Sequence, residues 1–215
     1  CGVGASTNIQ YTTPKILGFT VKLANAPHMG QSDTADKATS GGSTNLGDGF
    51  DAVISLNPSF GTEILSELEL FVGAHYTDVA GNNPSTIDDD KYEGVGGITY
   101  ALGPVSVGAQ WSGEYLGDKT TITDYNAYKN HAFGVAFNIS DNLSVSYGEH
   151  SSRKEGYNNT NWGMGQANRE AKVDSIQAAY TWGGASIRYA FIDAKNTGFG
   201  GQDKKAKVVS LGLAR

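Results

Sequence analysis

From Val105 to Tyr115 the chain reads VSVGAQWSGEY, with Val105, Val107, Ala109 and Trp111 on every second position and Ser106, Gly108, Gln110, Ser112 and Glu114 between them. Successive side chains of a strand point to opposite faces, so this segment has one oily face and one polar face. The run Tyr92–Leu102 meets it at the tight turn Gly103-Pro104, and Tyr100, Trp111 and Tyr115 stand near the ends of the oily face. A bilayer interface places amphipathic rings at such positions.

The rest of the chain repeats this hairpin. The spacing predicts about eleven strands: Asn8–Thr13, Leu17–Ala24, Phe50–Leu56, Glu67–Tyr76, Tyr92–Leu102, Val105–Tyr115, His131–Ile139, Leu143–His150, Val173–Trp182, Ala185–Asp193 and Lys207–Ala214. No window shows a helical period. Short connections are expected at Thr13–Ile16, Asn57–Thr62, Gly103-Pro104, Asp141-Asn142 and Gly183-Gly184. Long polar links are expected at Asn25–Gly49, Thr77–Lys91, Leu116–Asn130, Ser151–Lys172 and Ala194–Ala206. A meander with short turns at one end and long ones at the other has two unlike ends, as a transmembrane antiparallel up-and-down β-barrel does. A soluble sandwich also alternates, but it sends its oily face to a dry core. The set opposite the oily face here is rich in Gly, Ser, Gln and charge, which suits a wet lumen.

Composition narrows the function classes. Mean hydropathy is -0.34, and no stretch approaches the roughly 18 apolar residues of a spanning helix. A strand-built membrane protein hides its apolar residues in alternate positions and looks polar on average. The net charge of -6 argues against a nucleic-acid partner, because phosphate binding needs clustered Lys and Arg. The single Cys, Cys1, leaves no internal disulfide; it reads as the lipid-carrying first residue of a lipoprotein or as a point where a longer chain was cut. His28, His75, His131 and His150 have no metal-site spacing, and neither cofactor nor catalytic group is expected. The sequons at Asn138, Asn142 and Asn158 carry no expectation.

The opening hairpin Tyr11-Thr12-Thr13-Pro14-Lys15-Ile16-Leu17-Gly18-Phe19 resembles the Tyr-x-Ser/Thr-Pro-x-x-x-Gly-Phe hairpin of the general trimeric porins of Gram-negative outer membranes. The resemblance implies an integral outer-membrane location and a homotrimer whose interface uses mainly the early strands. It makes Asn8–Thr13 the sixth of sixteen strands and Lys207–Ala214 the sixteenth, with residues 1–6 as the tail of the loop that narrows the pore. Two departures stand out: Arg215 occupies the last outward place, where the family ends on an aromatic, and Gln10 stands where it often has a basic residue.

Alternation assigns the water-facing set as Gln10, Lys22, Asp51, Glu67, Glu69, Glu93, Gln110, Glu114, Gln177 and Arg188. Five acids against two bases predict a mild preference for cations among small hydrophilic solutes in transit. The aromatic girdle is read as Tyr11, Tyr76, Tyr100, Trp111, Phe137, Tyr147, Tyr180, Trp182 and Tyr189, with outward residues meeting the lipid bilayer. Asp88-Asp89-Asp90 offers oxygen ligands to a divalent cation, although a solvated loop tip is the plainer reading. Arg153, Lys154 and Arg169, beside Tyr157 and Trp162, and Lys205 with Lys207 are placed to touch lipopolysaccharide phosphates, or are simply exposed. Two other classes compete: a soluble β-rich carbohydrate-binding module, and an outer-membrane barrel hydrolase using His150 and Ser152.

Overall fold

The computed structural model describes residues 7–27, 45–58, 63–80, 87–88, 90–115, 118–119, 125–156 and 170–213. Eleven of its strands form one antiparallel sheet in which spatial order is chain order. They are β1 (Ile9–Thr12), β2 (Phe19–Ala26), β3 (Asn45–Leu56), β4 (Leu68–Ala80), β5 (Lys91–Leu102), β6 (Val105–Tyr115), β7 (Tyr125–Asn138), β8 (Leu143–Gly156), β9 (Glu170–Trp182), β10 (Ala185–Thr197) and β11 (Gln202–Leu213). A two-residue ladder joins Ile87–Asp88 to Asp118–Lys119. One helical turn, Glu63–Ser66, precedes β4.

Strand number and order agree with the alternation, and the bounds need correction. β6 matches, but β7 begins at Tyr125 rather than His131 and β8 runs to Gly156 rather than His150. β10 runs to Thr197, and β11 starts at Gln202 rather than Lys207. The ladder continues where apolar alternation stops, because backbone pairing needs no oily side chain. The expected long link Ala194–Ala206 therefore shrinks to a four-residue turn at 198–201. There Asn196, at φ 50°, accepts the Gly201 N–H at 2.6 Å and donates to the Glu170 carbonyl at 2.8 Å. Conversely, the connection expected to be short after Leu56 occupies 57–67 and holds the helical turn.

The first hairpin explains its own glycine. Leu17 and Gly18 have φ of 50° and 84°, so they form the turn and β2 begins at Phe19. The Gly18 carbonyl accepts the Asn57 N–H at 2.9 Å, and a Cβ on Gly18 would lie 2.6 Å from the Asn57 carbonyl oxygen. Backbone on both sides cannot yield cheaply. Gly18→Ala is expected to cost about 1–3 kcal/mol, measured as a lower urea midpoint for unfolding from detergent.

The described sheet is a single layer without a dry core: among these residues only Ala26 and Ala194 are buried apolar residues. Trp111 is 60% exposed, Ile98 37% and Leu211 66%, all on one face. Register carries this outer face across the strands. One continuous line of partners runs Phe19, Leu56, Leu70, Ile98, Ala109, Phe133, Glu149, Asp174, Asp193, Lys205. It starts beside a short turn among apolar residues and ends among charges, eight residues above Leu213. With the short turns level, that is a climb of about 26 Å over about 43 Å of ladder, a tilt of about 31°. Spanning barrels use a similar tilt of about 35–45°.

Above the apolar band the outer face of β8–β11 is charged. Lys172 pairs with Glu149 at 2.7 Å, Lys205 pairs with Asp193 at 3.1 Å, and the Tyr147 hydroxyl donates to Asp174 at 2.8 Å. The band ends where these ionised groups first find one another.

Candidate passage wall

The face opposite the apolar belt carries the small and polar residues, and two troughs open on it. The first, about 490 Å³, is bordered by Asn57, Glu67, Glu69, Thr99, Ser106, Gly108, Gly134 and Ser146. Gly108, Gly134 and Gly148 follow one another on a single register line, so its floor lacks side chains. The second, about 430 Å³, shares Ser146 and continues past Gln177 and Arg188 to Ser210. The two troughs meet at Ser146.

Every residue of the water-facing set has a place on this face. Gln10 is opposite Ala24, and Lys22 is opposite Val53. Glu67 lies in the turn before β4 and Glu69 on β4, both at the first trough; Gln110 faces Gly97 across the ladder. Gln177 and Arg188 border the second trough. Asp51, Glu93 and Glu114 lie on one register line with His75. The nine girdle rings Tyr11, Tyr76, Tyr100, Trp111, Phe137, Tyr147, Tyr180, Trp182 and Tyr189 share the parity of the apolar face. Tyr92 and Tyr115 extend them in a row Phe50, Tyr76, Tyr92, Tyr115.

The belt Asp51, His75, Glu93, Glu114 is tied by the His75 ring and by the Lys91 ammonium. His75 Nδ1 lies 2.6 Å from Asp51 Oδ1; a carboxylate only accepts, so Nδ1 carries the proton. The other nitrogen, Nε2, lies 2.5 Å from the Thr77 hydroxyl. His75 is 4% exposed and Thr77 1%. An Asp–His–Thr order of this kind can activate a hydroxyl, but no reacting atom can approach one so enclosed, and the trio acts as a strut. Lys91 Nζ bridges Glu93 at 2.9 Å and Glu114 at 2.7 Å. Among the described residues Glu67 and Glu69 make no ion pair.

His75, Thr77, Lys91, Lys154 and Lys204 escaped the expected set. Lys91 fell one residue outside its expected strand, and Lys154 and Lys204 fell in segments read as loops. The parity of Lys91 with Glu93, two positions on, was the usable signal. With these bases included, the described residues of the wall hold five acids and five bases rather than five and two. The inner face of described β7–β11 carries Lys154, Arg188 and Lys204 and no carboxylate.

Other expected sites fare differently. His150 and Ser152 both face inward on β8, opposite Val173 and Ala171, with no described carboxylate beside them. Asp90 accepts the Tyr76 hydroxyl at 3.0 Å, and Asp88 sits in the two-residue ladder. Cys1, residues 1–6, His28, Asp89, Tyr157, Asn158, Trp162, Arg169, Ala214 and Arg215 lie outside the described residues. Arg153 pairs with Glu155 at 3.4 Å on the outer face.

No protein-family model matches the chain, and no curated protein matches it by sequence. Solved structures do. The outer membrane channel DcaP of Acinetobacter baumannii superposes with a TM-score of 0.64 at 12% identity, over 95% of this chain and 60% of that one. An anion-selective porin from Comamonas acidovorans gives 0.61 at 16% identity, over 97% and 54%. A porin structure refined at 1.8 Å gives 0.56 at 14% identity, over 94% and 60%. The chain therefore spans little more than half the length of these channels. These superpositions show the fold: the chain folds as eleven consecutive strands of a porin-type β-barrel.

Proposed function

We propose that this chain forms most of the wall of an outer-membrane porin through which small hydrophilic solutes and ions diffuse passively. The observation that carries the reading is the single layer with two unlike faces: an exposed apolar belt for lipid, and a concave face of Gly, Ser, Gln and charge with no dry core. Such a wall moves solutes by holding a water column, without catalysis. The eleven strands then correspond to the sixth to sixteenth of a sixteen-stranded barrel, residues 1–215 being one domain. The assembly is a homotrimer in the outer membrane, with lipid against the outer face and lipopolysaccharide phosphates near Lys205 and Lys207. Planar-bilayer conductance of the whole protein in a salt gradient tests this. Stepwise openings in threes are expected; a protein that stays soluble without detergent and opens nothing overturns the reading.

The ion preference is for cations and weak, because acids and bases are level on the wall. Its source is Glu67 and Glu69, which border the first trough without a basic partner among the described residues, whereas Lys91 already offsets Glu93 and Glu114. The double variant Glu67→Gln/Glu69→Gln is expected to move the reversal potential toward anions, and Glu114→Gln to move it less. An unchanged reversal potential in the double variant sinks the assignment.

A further inference from the structure

We propose that Phe199 is a specificity-determining residue that narrows the passage at its long-loop end and limits the size of the solutes it admits. The inference rests on the pore reading. The register line of the inner belt does not stop at Glu114: across the next two ladders it runs on to Tyr128 of β7 and Lys154 of β8. Phe199 lies in the 198–201 turn between β10 and β11, three strand spacings from β7. At about 4.8 Å per spacing that is about 14 Å along the wall. The rings of Phe199 and Tyr128 nevertheless stand 6.1 Å apart, and the Lys154 ammonium lies 4.4 Å from the centre of the Phe199 ring and 6.0 Å from that of Tyr128. Tyr128 and Lys154 start from the inner face, so Phe199 meets them by reaching over that face across β9. A ring laid on the wall takes at least about 3.5 Å from the opening.

The backbone of the turn is built to hold that ring. Phe199 has a φ of 58°, in the left-handed region that bulky side chains rarely adopt, between Gly198 and Gly201 at 63° and 73°. Glycine is at home in such a turn, and a phenylalanine is not. The Phe199 N–H donates to the Asn196 carbonyl at 2.9 Å, the Asn196 N–H to the Asp203 carboxylate at 3.0 Å, and the Thr197 hydroxyl to the Gln202 carbonyl at 2.7 Å. The Asn196 side chain ties the same turn to the end of β9 through the Glu170 carbonyl. Strained residues persist where their surroundings over-determine them, and they gather at sites of function. Here the pinned turn fixes where the ring points, and the ammonium of Lys154 against the ring face keeps it over the wall.

The test compares the whole wild-type protein with Phe199→Gly and Phe199→Tyr, by conductance in planar bilayers and by swelling of proteoliposomes in neutral mono-, di- and trisaccharides. Glycine removes the ring and suits the left-handed backbone, so this variant should fold with a urea midpoint close to that of the wild type. Its salt conductance is expected to rise about 1.3-fold, and its trisaccharide rate relative to its monosaccharide rate about threefold. Phe199→Tyr restores a ring of the same shape and should keep the wild-type values of both. A Phe199→Gly protein with wild-type conductance and wild-type sugar discrimination overturns the inference and leaves the pore standing, and so does a Phe199→Tyr protein that behaves as the glycine variant does. A ring with only a structural role would lower the urea midpoint and leave the sugar discrimination unmoved, which also overturns it. If the wild type opens no channels and its liposomes do not swell, it is the pore reading that fails, and the inference falls with it.

Discussion

Ile98→Arg is expected to destabilise the protein by about 2–4 kcal/mol, while Thr99→Arg, one residue away, should cost little. The two positions share a strand and a neighbourhood and differ only in face. Ile98 is 37% exposed in the apolar belt between Leu70 and Ala109, whereas Thr99 borders the first trough. An arginine in the belt must leave water for hydrocarbon, and at mid-strand it cannot reach either interface. An arginine in the trough stays in water and changes only the charge that ions meet. Urea titration of refolded protein in lipid bilayers measures both. Equal costs at the two positions would remove the lipid from one face and with it the barrel. A soluble sandwich would penalise whichever face met its core, but the described sheet has no second layer to supply one.

The second large effect belongs to Lys91→Met. Lys91 bridges Glu93 and Glu114, whose side chains are 13% and 32% exposed. Removing the ammonium leaves two neighbouring carboxylates to repel each other in a partly enclosed place. A fully buried pair broken this way costs about 3–5 kcal/mol; beside a water column about 1–2 kcal/mol is expected, since solvent screens part of the repulsion. The sign on transport is independent of that cost: the wall loses one positive charge, so the preference for cations should rise. Single-channel reversal potential reads the second effect and urea midpoint the first. A variant that gained anion preference would show that this belt does not face the ions.

Much of this architecture was legible because a spanning strand must alternate. Val105 to Trp111 declares its two faces residue by residue, and eleven strands in chain order followed from repeating that pattern. The girdle rings Trp111, Tyr147 and Tyr180 fell on the outer face for the same reason. Strand ends were less legible. Glu149, Asp174 and Asp193 interrupt the apolar run on the outer face, so alternation of oil and polarity stops there while the hydrogen-bonded ladder does not. The turn at 198–201 was hidden in a stretch that looks like a long loop, since nothing in its composition separates a polar strand from a polar link.

The wall chemistry divides along the same boundary. Parity placed Asp51, Glu93 and Glu114 inside, because a period of two survives any change of partner strand. It could not say that the three share one line with His75, that Lys91 bridges two of them, or that Thr77 closes the other side of the imidazole. Those facts depend on register, and register between strands 24 residues apart, as Asp51 and His75 are, is set by turn lengths and shear rather than by either strand's sequence. The sequence by itself determined which face each side chain takes, through local strand geometry. Tertiary pairing alone decided which charges meet, because only the hydrogen-bonded ladder brings neighbouring strands to within about 5 Å of one another.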